Sequence, residues 1–149
     1  MGKQDEAAAI MAEGRGNCAQ AVLAVYAGEL GLETAAAFRL AQGLGAGMGR
    51  TGGLCGAVSA AIMIIGLKTP QEDDFAVQRE HVYARVQDYT RRFIARHRSI
   101  NCTELLGYNL GIPPERAEAR RQGVTDRVCP AMVTSSIDIL EEVFNEART

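Results

Sequence analysis

Seven of the fourteen residues from Gly43 to Gly56 are glycine, and the chain then runs directly into the apolar stretch Ala57–Ile65. Glycine disfavours both helix and strand interiors, so a flexible loop followed at once by an apolar helix is the only simple reading of this stretch. Cys55 then falls in the first turn of that helix, where backbone N–H groups have no partner within the helix. Those amides and the helix dipole stabilise a thiolate, the form of cysteine that attacks disulfides and binds metals. Val58, Ile62 and Ile65 share the thiol's face, so the sulphur points toward a core.

The same local pattern recurs along the chain. Lys3–Glu13 predicts a short alanine-rich helix, closed by Gly14 and Gly16. Asn17, with Gln20 three residues on, forms a capping-box signature that starts a second helix with Cys18 in its first turn. A third helix over Glu33–Gln42 returns to the glycine loop. After the break at Lys68-Thr69-Pro70, Asp73 and Asp74 open a long fifth helix to about His97, with Phe75, Val82, Val86, Tyr89 and Phe93 on its apolar face. Asn101-Cys102-Thr103-Glu104 repeats the capping box, and Cys129-Pro130 suits a last helix with proline at its first position and Cys129 as its cap.

The expected architecture is therefore all-α, a multi-helix bundle in a single domain over 1–149. Residues 1–16 supply a short helix and turn, 17–107 the cysteine-bearing core, 108–126 a connector with a short helix over Pro114–Arg121, and 127–149 the last helix. Alternating helix direction returns Cys18, Cys55 and Cys102 to one pole of the bundle, and the connector decides whether Cys129 joins them. The fifth helix is roughly twice as long as the fourth at 1.5 Å per residue, so it overshoots or crosses obliquely.

Composition excludes several functions. A net charge of −2 lacks the basic face that nucleic acid requires. Ala57–Leu67, the most apolar run, is too short to span a bilayer, and the N-terminus has no signal-peptide core. The expectation is a soluble cytoplasmic protein, where structural disulfides are rare and four cysteines point to thiol chemistry or metal ligands. Packing as small hydrophobes accounts for any one buried cysteine, but it does not select helix starts. His81 and His97 share no ligand spacing and read as surface or rim residues. Arg116, Arg120 and Arg121 read as a solvated face.

Cys18, then Cys55-Gly56-Ala57, then Cys102, then Cys129 resembles the four-cysteine family of suspected redox proteins described by the pattern Cys, Cys-Gly-Ala-x-x-Gly, Cys, Cys. The resemblance covers Asn17 to about Val133, with Ala60 where the pattern has its last glycine. It implies an all-helical redox protein, often associated with transport loci, with no established substrate. Relatives similar to the iron–sulphur part of split-Soret cytochromes keep a cluster in play. No Cys-x-x-Cys-His is present to attach a c-type haem.

Two chemistries follow. In the first, Cys55 attacks a disulfide and Cys18 or Cys102 resolves the intermediate, with Cys129 as the fourth thiol. In the second, Cys18, Cys55, Cys102 and Cys129 ligate an iron–sulphur cluster, zinc being disfavoured by the wide ligand spacing. Dithiol chemistry ranks ahead of the cluster, and whether the chain turns over a substrate or hands electrons or metal to a transporter or reductase stays open. Gly53, Gly56 and Arg50 are the candidate cofactor-binding residues of the glycine loop. The loop lacks both a preceding strand and a Gly-Lys-Ser/Thr, which argues against nucleotide binding. An alanine-rich helical surface is compatible with a homodimer.

Overall fold

A computed structural model describes residues 2–146; the ends of the first and last expected segments, at Met1 and 147–149, lie outside them. Eight right-handed helices occupy the described residues: α1 (Lys3–Ala12), α2 (Cys18–Ala27), α3 (Thr34–Ala41), α4 (Gly56–Lys68), α5 (Phe75–His97), α6 (Cys102–Leu106), α7 (Pro113–Arg121) and α8 (Val124–Glu146). They form one compact all-helical domain with no β-strand among the described residues.

The centre is built from α2 and α4, the two most apolar helices. Val22, Leu23 and Tyr26 of α2 and Val58, Ile64 and Ile65 of α4 are wholly or almost wholly buried, with α1 and α8 packed around them. Burying each such side chain contributes about 1.5–3 kcal/mol, so this pair anchors whatever its N-termini present. Asn17 starts α2 as the sequence predicts. Its side chain accepts from Gln20 N at 2.9 Å while its own amide donates to Gln20 Oε1 at 2.9 Å. Ala60 lies inside α4 with no exposed surface, where regular helix accommodates it in place of glycine.

Behind the N-terminus of α4 lies a buried polar chain that the sequence does not announce. The Tyr89 hydroxyl and Ser136 Oγ lie 2.7 Å apart, and Ser136 donates to the Ala57 carbonyl at 2.8 Å. This ties α5, α8 and the first turn of α4 together.

The glycine stretch is not a flexible loop. After a single 3₁₀ turn over Gln42–Leu44, the residues Ala46, Gly47, Met48 and Gly49 take φ/ψ of 57/38, 69/51, 67/67 and 67/38°, and Arg50 has φ 69°. This is a left-handed helical turn. Left-handed geometry costs an L-residue about 1–2 kcal/mol, so Ala46, Met48 and Arg50 store strain while the glycines do not. Gly47 is the position that allows it: its carbonyl accepts from Gly53 N at 2.9 Å and Thr51 Oγ1 at 2.8 Å, and a Cβ there would stand 2.7 Å from Cys102 Cβ.

Four local expectations are corrected. Cys55 is the N-cap of α4 rather than a residue of its first turn, and Asn101 caps α6 without any side-chain hydrogen bond, so no capping box forms there. Instead, Cys55 N donates to Ile100 O and Cys102 N to Gly53 O, each at 2.8 Å. Leu54 and Asn101 thus pair as an isolated antiparallel bridge that satisfies the amides of Cys55 and Cys102, while the Asn101 amide donates to Ser99 Oγ at 3.0 Å in place of the expected Glu104. Phe75 is 77% exposed, because only the later part of α5, at Tyr89 and Phe93, is buried in the core; the overshoot is at the N-terminal end.

The fourth correction concerns Cys129. It lies within α8, which begins at Val124 and runs through Pro130. A proline inside a helix costs about 3 kcal/mol, chiefly by leaving the carbonyl four residues earlier, here Asp126, without its donor. Val124 and Val128 oppose that cost by packing on a small second cluster with Cys102, Leu106, Leu110 and Ala119.

Candidate thiol redox site

The sulphur-bearing residues arrive from four segments. Cys18 opens α2, Cys55 caps α4, Cys102 opens α6, and Cys129 comes from the second turn of α8. The Leu54–Asn101 bridge holds Cys55 and Cys102 side by side through the main chain. All four line a single cavity of about 180 Å³ at the seam between the main core and the second cluster. Met11, Leu105, Leu110, Val128 and Met132 supply its apolar wall, and no charged side chain lines it. All four thiols are free, and Cys18, Cys55 and Cys102 are buried.

Cys18 is the centre of the group. A hydrogen bond from the Cys55 thiol, together with the backbone amides of Ala46, Ala19 and Gly56, lowers its pKa from 9.0 to about 6 despite burial. Those amides come from the first turn of α2, the left-handed turn and the first turn of α4, so three separate backbones converge on one sulphur. Gly56 makes the approach possible: a Cβ on it would lie 2.5 Å from Cys18 Sγ. No cation lines the cavity, so hydrogen bonds alone are available to support negative charge on Cys18.

The sequence argument placed the activated thiol at Cys55, whereas the backbone amides that converge from three segments gather on its hydrogen-bonded neighbour, Cys18. The hydrogen bond to Cys18, burial and the neighbouring negative charge all push the Cys55 thiol upward, outweighing the amides of Ala57 and Val58. Cys18 and Cys55 are hydrogen-bonded and titrate as a pair, so negative charge on one opposes ionisation of the other. Cys102 is pushed up to about 11 and Cys129 to about 12, in both cases first by burial and then by the charge of Cys18. A helix start alone therefore activates neither Cys55 nor Cys102.

The remaining candidates separate. Gly56 lines the thiol cavity, whereas Gly53 and Arg50 do not. Gly53 acts through its backbone, and Arg50 lines an adjoining hollow. His97 packs on Phe93 and lies 2.6 Å from Ser135 Oγ, while His81 sits near Glu72. Among the described residues, no three His, Cys, Asp or Glu side chains converge closely enough to hold one metal ion. The donor set as placed therefore does not fit a mononuclear zinc site.

The family model for "Putative redox-active protein (C_GCAxxG_C_C)" matches residues 16–143 and so takes in all four cysteines. The chain belongs to this C_GCAxxG_C_C family. No curated protein and no solved structure matches it. No described helix is long and apolar enough to cross a membrane. As a C_GCAxxG_C_C protein, the chain carries the family's four cysteines on a helical scaffold, and the family is described as redox-active.

Proposed function

We propose that this C_GCAxxG_C_C protein performs thiol–disulfide chemistry, with Cys18 as the attacking thiolate and Cys55 as the resolving thiol. The observation that carries the reading is the convergence of the Cys55 thiol and three backbone amides on the Cys18 sulphur, an arrangement that favours its anion. The Cys18 thiolate attacks one sulphur of a substrate disulfide, forming a mixed disulfide and expelling the other half as a thiolate. Cys18 thereby loses its charge. The hydrogen bond and the Coulombic repulsion that kept Cys55 protonated vanish together, so Cys55 gives its proton to the departing thiolate. Cys55, now a thiolate, then attacks the Cys18 sulphur of the mixed disulfide and expels the second half of the substrate as a thiolate, which takes a proton from solvent. Two protein thiols are oxidised to one disulfide, and one substrate disulfide is reduced to two thiols. The reverse sequence oxidises a dithiol substrate.

Cys102 and Cys129, held protonated beside the pair, keep further negative charge away from Cys18 in this reading. A reducing compartment, the cytoplasm, keeps the four thiols available. The partner is a redox or transport protein.

The test is trapping with a small disulfide. Cys55→Ser should accumulate a mixed disulfide at Cys18 by mass spectrometry, and Cys18→Ser should react slowly at neutral pH. A Cys18→Ser protein that reacts as fast as the native chain would overturn the assignment.

A second reading is supported by the placement of all four sulphurs on one apolar cavity. Cys18, Cys55, Cys102 and Cys129 would hold an iron–sulphur cluster, which supplies one-electron transfer, and the protein would act as a carrier without turnover. Anaerobic purification distinguishes the two: iron and acid-labile sulphide in stoichiometric amount favour the cluster, and metal-free protein competent in disulfide exchange favours the thiol pair.

A further inference from the structure

We propose that the hollow adjoining the thiol cavity is a carboxylate subsite, and that the disulfide exchanged at Cys18 is that of a small thiol bearing carboxylates. The part of this inference concerning the exchanged disulfide rests on the thiol–disulfide reading above, whereas the carboxylate subsite stands on binding alone.

Arg50, Arg116 and Arg120 line this hollow together with Ala46, Leu110 and Thr125. The last three residues also line the thiol cavity, so the two spaces share a wall. The sequence separates the arginines between the left-handed turn and α7. Their meeting depends on close backbone packing: a Cβ on Gly111 would stand 2.3 Å from the Arg50 carbonyl oxygen, so only glycine lets the segment leading into α7 lie against the turn.

None of the three arginines makes an ion pair with a described residue, and no carboxylate lines the hollow. Elsewhere on the chain ion pairing is mixed: Arg39, Arg85, Arg98 and Arg127 form no ion pair with a described residue, whereas other arginines do. Arg92 engages Asp88, Glu142 and Glu146, and Arg96 engages Glu142. Arg116 donates one hydrogen bond from its terminal Nη1 to Leu110 O at 3.2 Å, which leaves the other N–H groups of its guanidinium uncommitted. Three unmatched guanidinium groups around one hollow, on a chain of net charge −2, are not a by-product of basic composition.

The two spaces divide the ligand between them. The thiol cavity is apolar and holds no cation, so it receives the uncharged sulphur end. Guanidinium forks match carboxylates bidentately, so the hollow receives the acidic end.

The binding test uses S-methylglutathione, which carries carboxylates and cannot exchange, and its dimethyl ester. By calorimetry the acid should bind the reduced native protein at least about tenfold more tightly than the ester. Arg50→Gln/Arg120→Gln, with both side chains outside the core and helicity checked by circular dichroism, should weaken the acid by about the same factor. Equal binding of acid and ester, no binding of either, or inorganic sulphate binding as tightly as the acid would each overturn the subsite.

The kinetic test compares oxidation by glutathione disulfide and by neutral 2-hydroxyethyl disulfide. The double variant should slow the first about tenfold and leave the second within about twofold. Equal slowing of both overturns the subsite. Failure of the neutral disulfide to oxidise the native protein overturns the thiol reading and leaves the binding result to decide the subsite.

Discussion

The sulphur of Cys18 occupies the space that a side chain on residue 56 would fill, with an ideal Cβ on Gly56 only 2.5 Å from Sγ. The glycine of the Cys-Gly-Ala motif therefore serves the cysteine of a different helix. It also delivers one of the three amides that hold the Cys18 anion.

Gly56→Ala should displace that sulphur, because the other neighbours of the new methyl, Leu44 O and Ala19 N, are backbone atoms. The expected outcome is a Cys18 pKa moved up toward 9, with a loss of about 1–3 kcal/mol in stability from overpacking. Thiolate absorbance against pH and denaturant unfolding measure the two effects.

Stability of the reduced protein should pass through a maximum in pH. Cys18 titrates at about 6 in the folded chain and near 9.0 unfolded, so between these values the unfolded state binds the extra proton and stability rises with pH. Below about 6 that contribution is gone. Cys55, Cys102 and Cys129 shift the other way, so above about 9 the unfolded chain releases protons that the folded chain keeps, and stability falls. Urea unfolding under reducing conditions across this range checks the sign on each side. Cys18→Ser should remove the rise and leave the fall.

Met48→Gly should leave stability unchanged or raise it by up to about 1 kcal/mol, as relief of left-handed strain opposes the entropy of a new glycine. Met48 is 49% exposed with φ 67°, so little packing is lost. In an ordinary helix the same change would cost about as much. Thermal unfolding decides, and a loss beyond about 1 kcal/mol would contradict the left-handed turn.

Pro130→Ala should stabilise the chain by about 1–3 kcal/mol, since it returns a donor to the Asp126 carbonyl in the middle of a helix. A proline at the first helical position, as the sequence alone indicates, would make the same change nearly neutral. Denaturant midpoints separate these outcomes.

Much of this arrangement is legible from residue types. The apolar spacing that follows Cys18 and Cys55 and the Asn17–Gln20 box appear as expected, because each depends on local sequence; Asp74, expected with Asp73 in the first turn of α5, is instead its N-cap, accepting from Ala76 N and Val77 N. Alternation of helix direction also accounts for Cys18, Cys55 and Cys102 meeting at one cavity, which Cys129 joins by way of the connector. What stayed hidden depends on contacts between distant backbones. Nothing in the residues around Cys18 reveals that the amides of Ala46 and Gly56 meet there, so local sequence points to Cys55 alone as the activated thiol. The handedness of Gly45–Arg50 is equally invisible, since a glycine-rich composition permits a left-handed turn without requiring one. At Cys129 a reliable local rule for proline was overridden by the burial of Val124 and Val128.

The two hydrogen bonds between Gly53–Cys55 and Ile100–Cys102 close the intervening chain into a hairpin clasped at its base. Everything threaded between these ends, including the protruding start of α5, can be lengthened, trimmed or decorated by evolution without resetting the spacing of Cys55 and Cys102. Diversity among relatives should accordingly concentrate at the far tip of that hairpin, where new partners could be acquired at no risk to the chemistry.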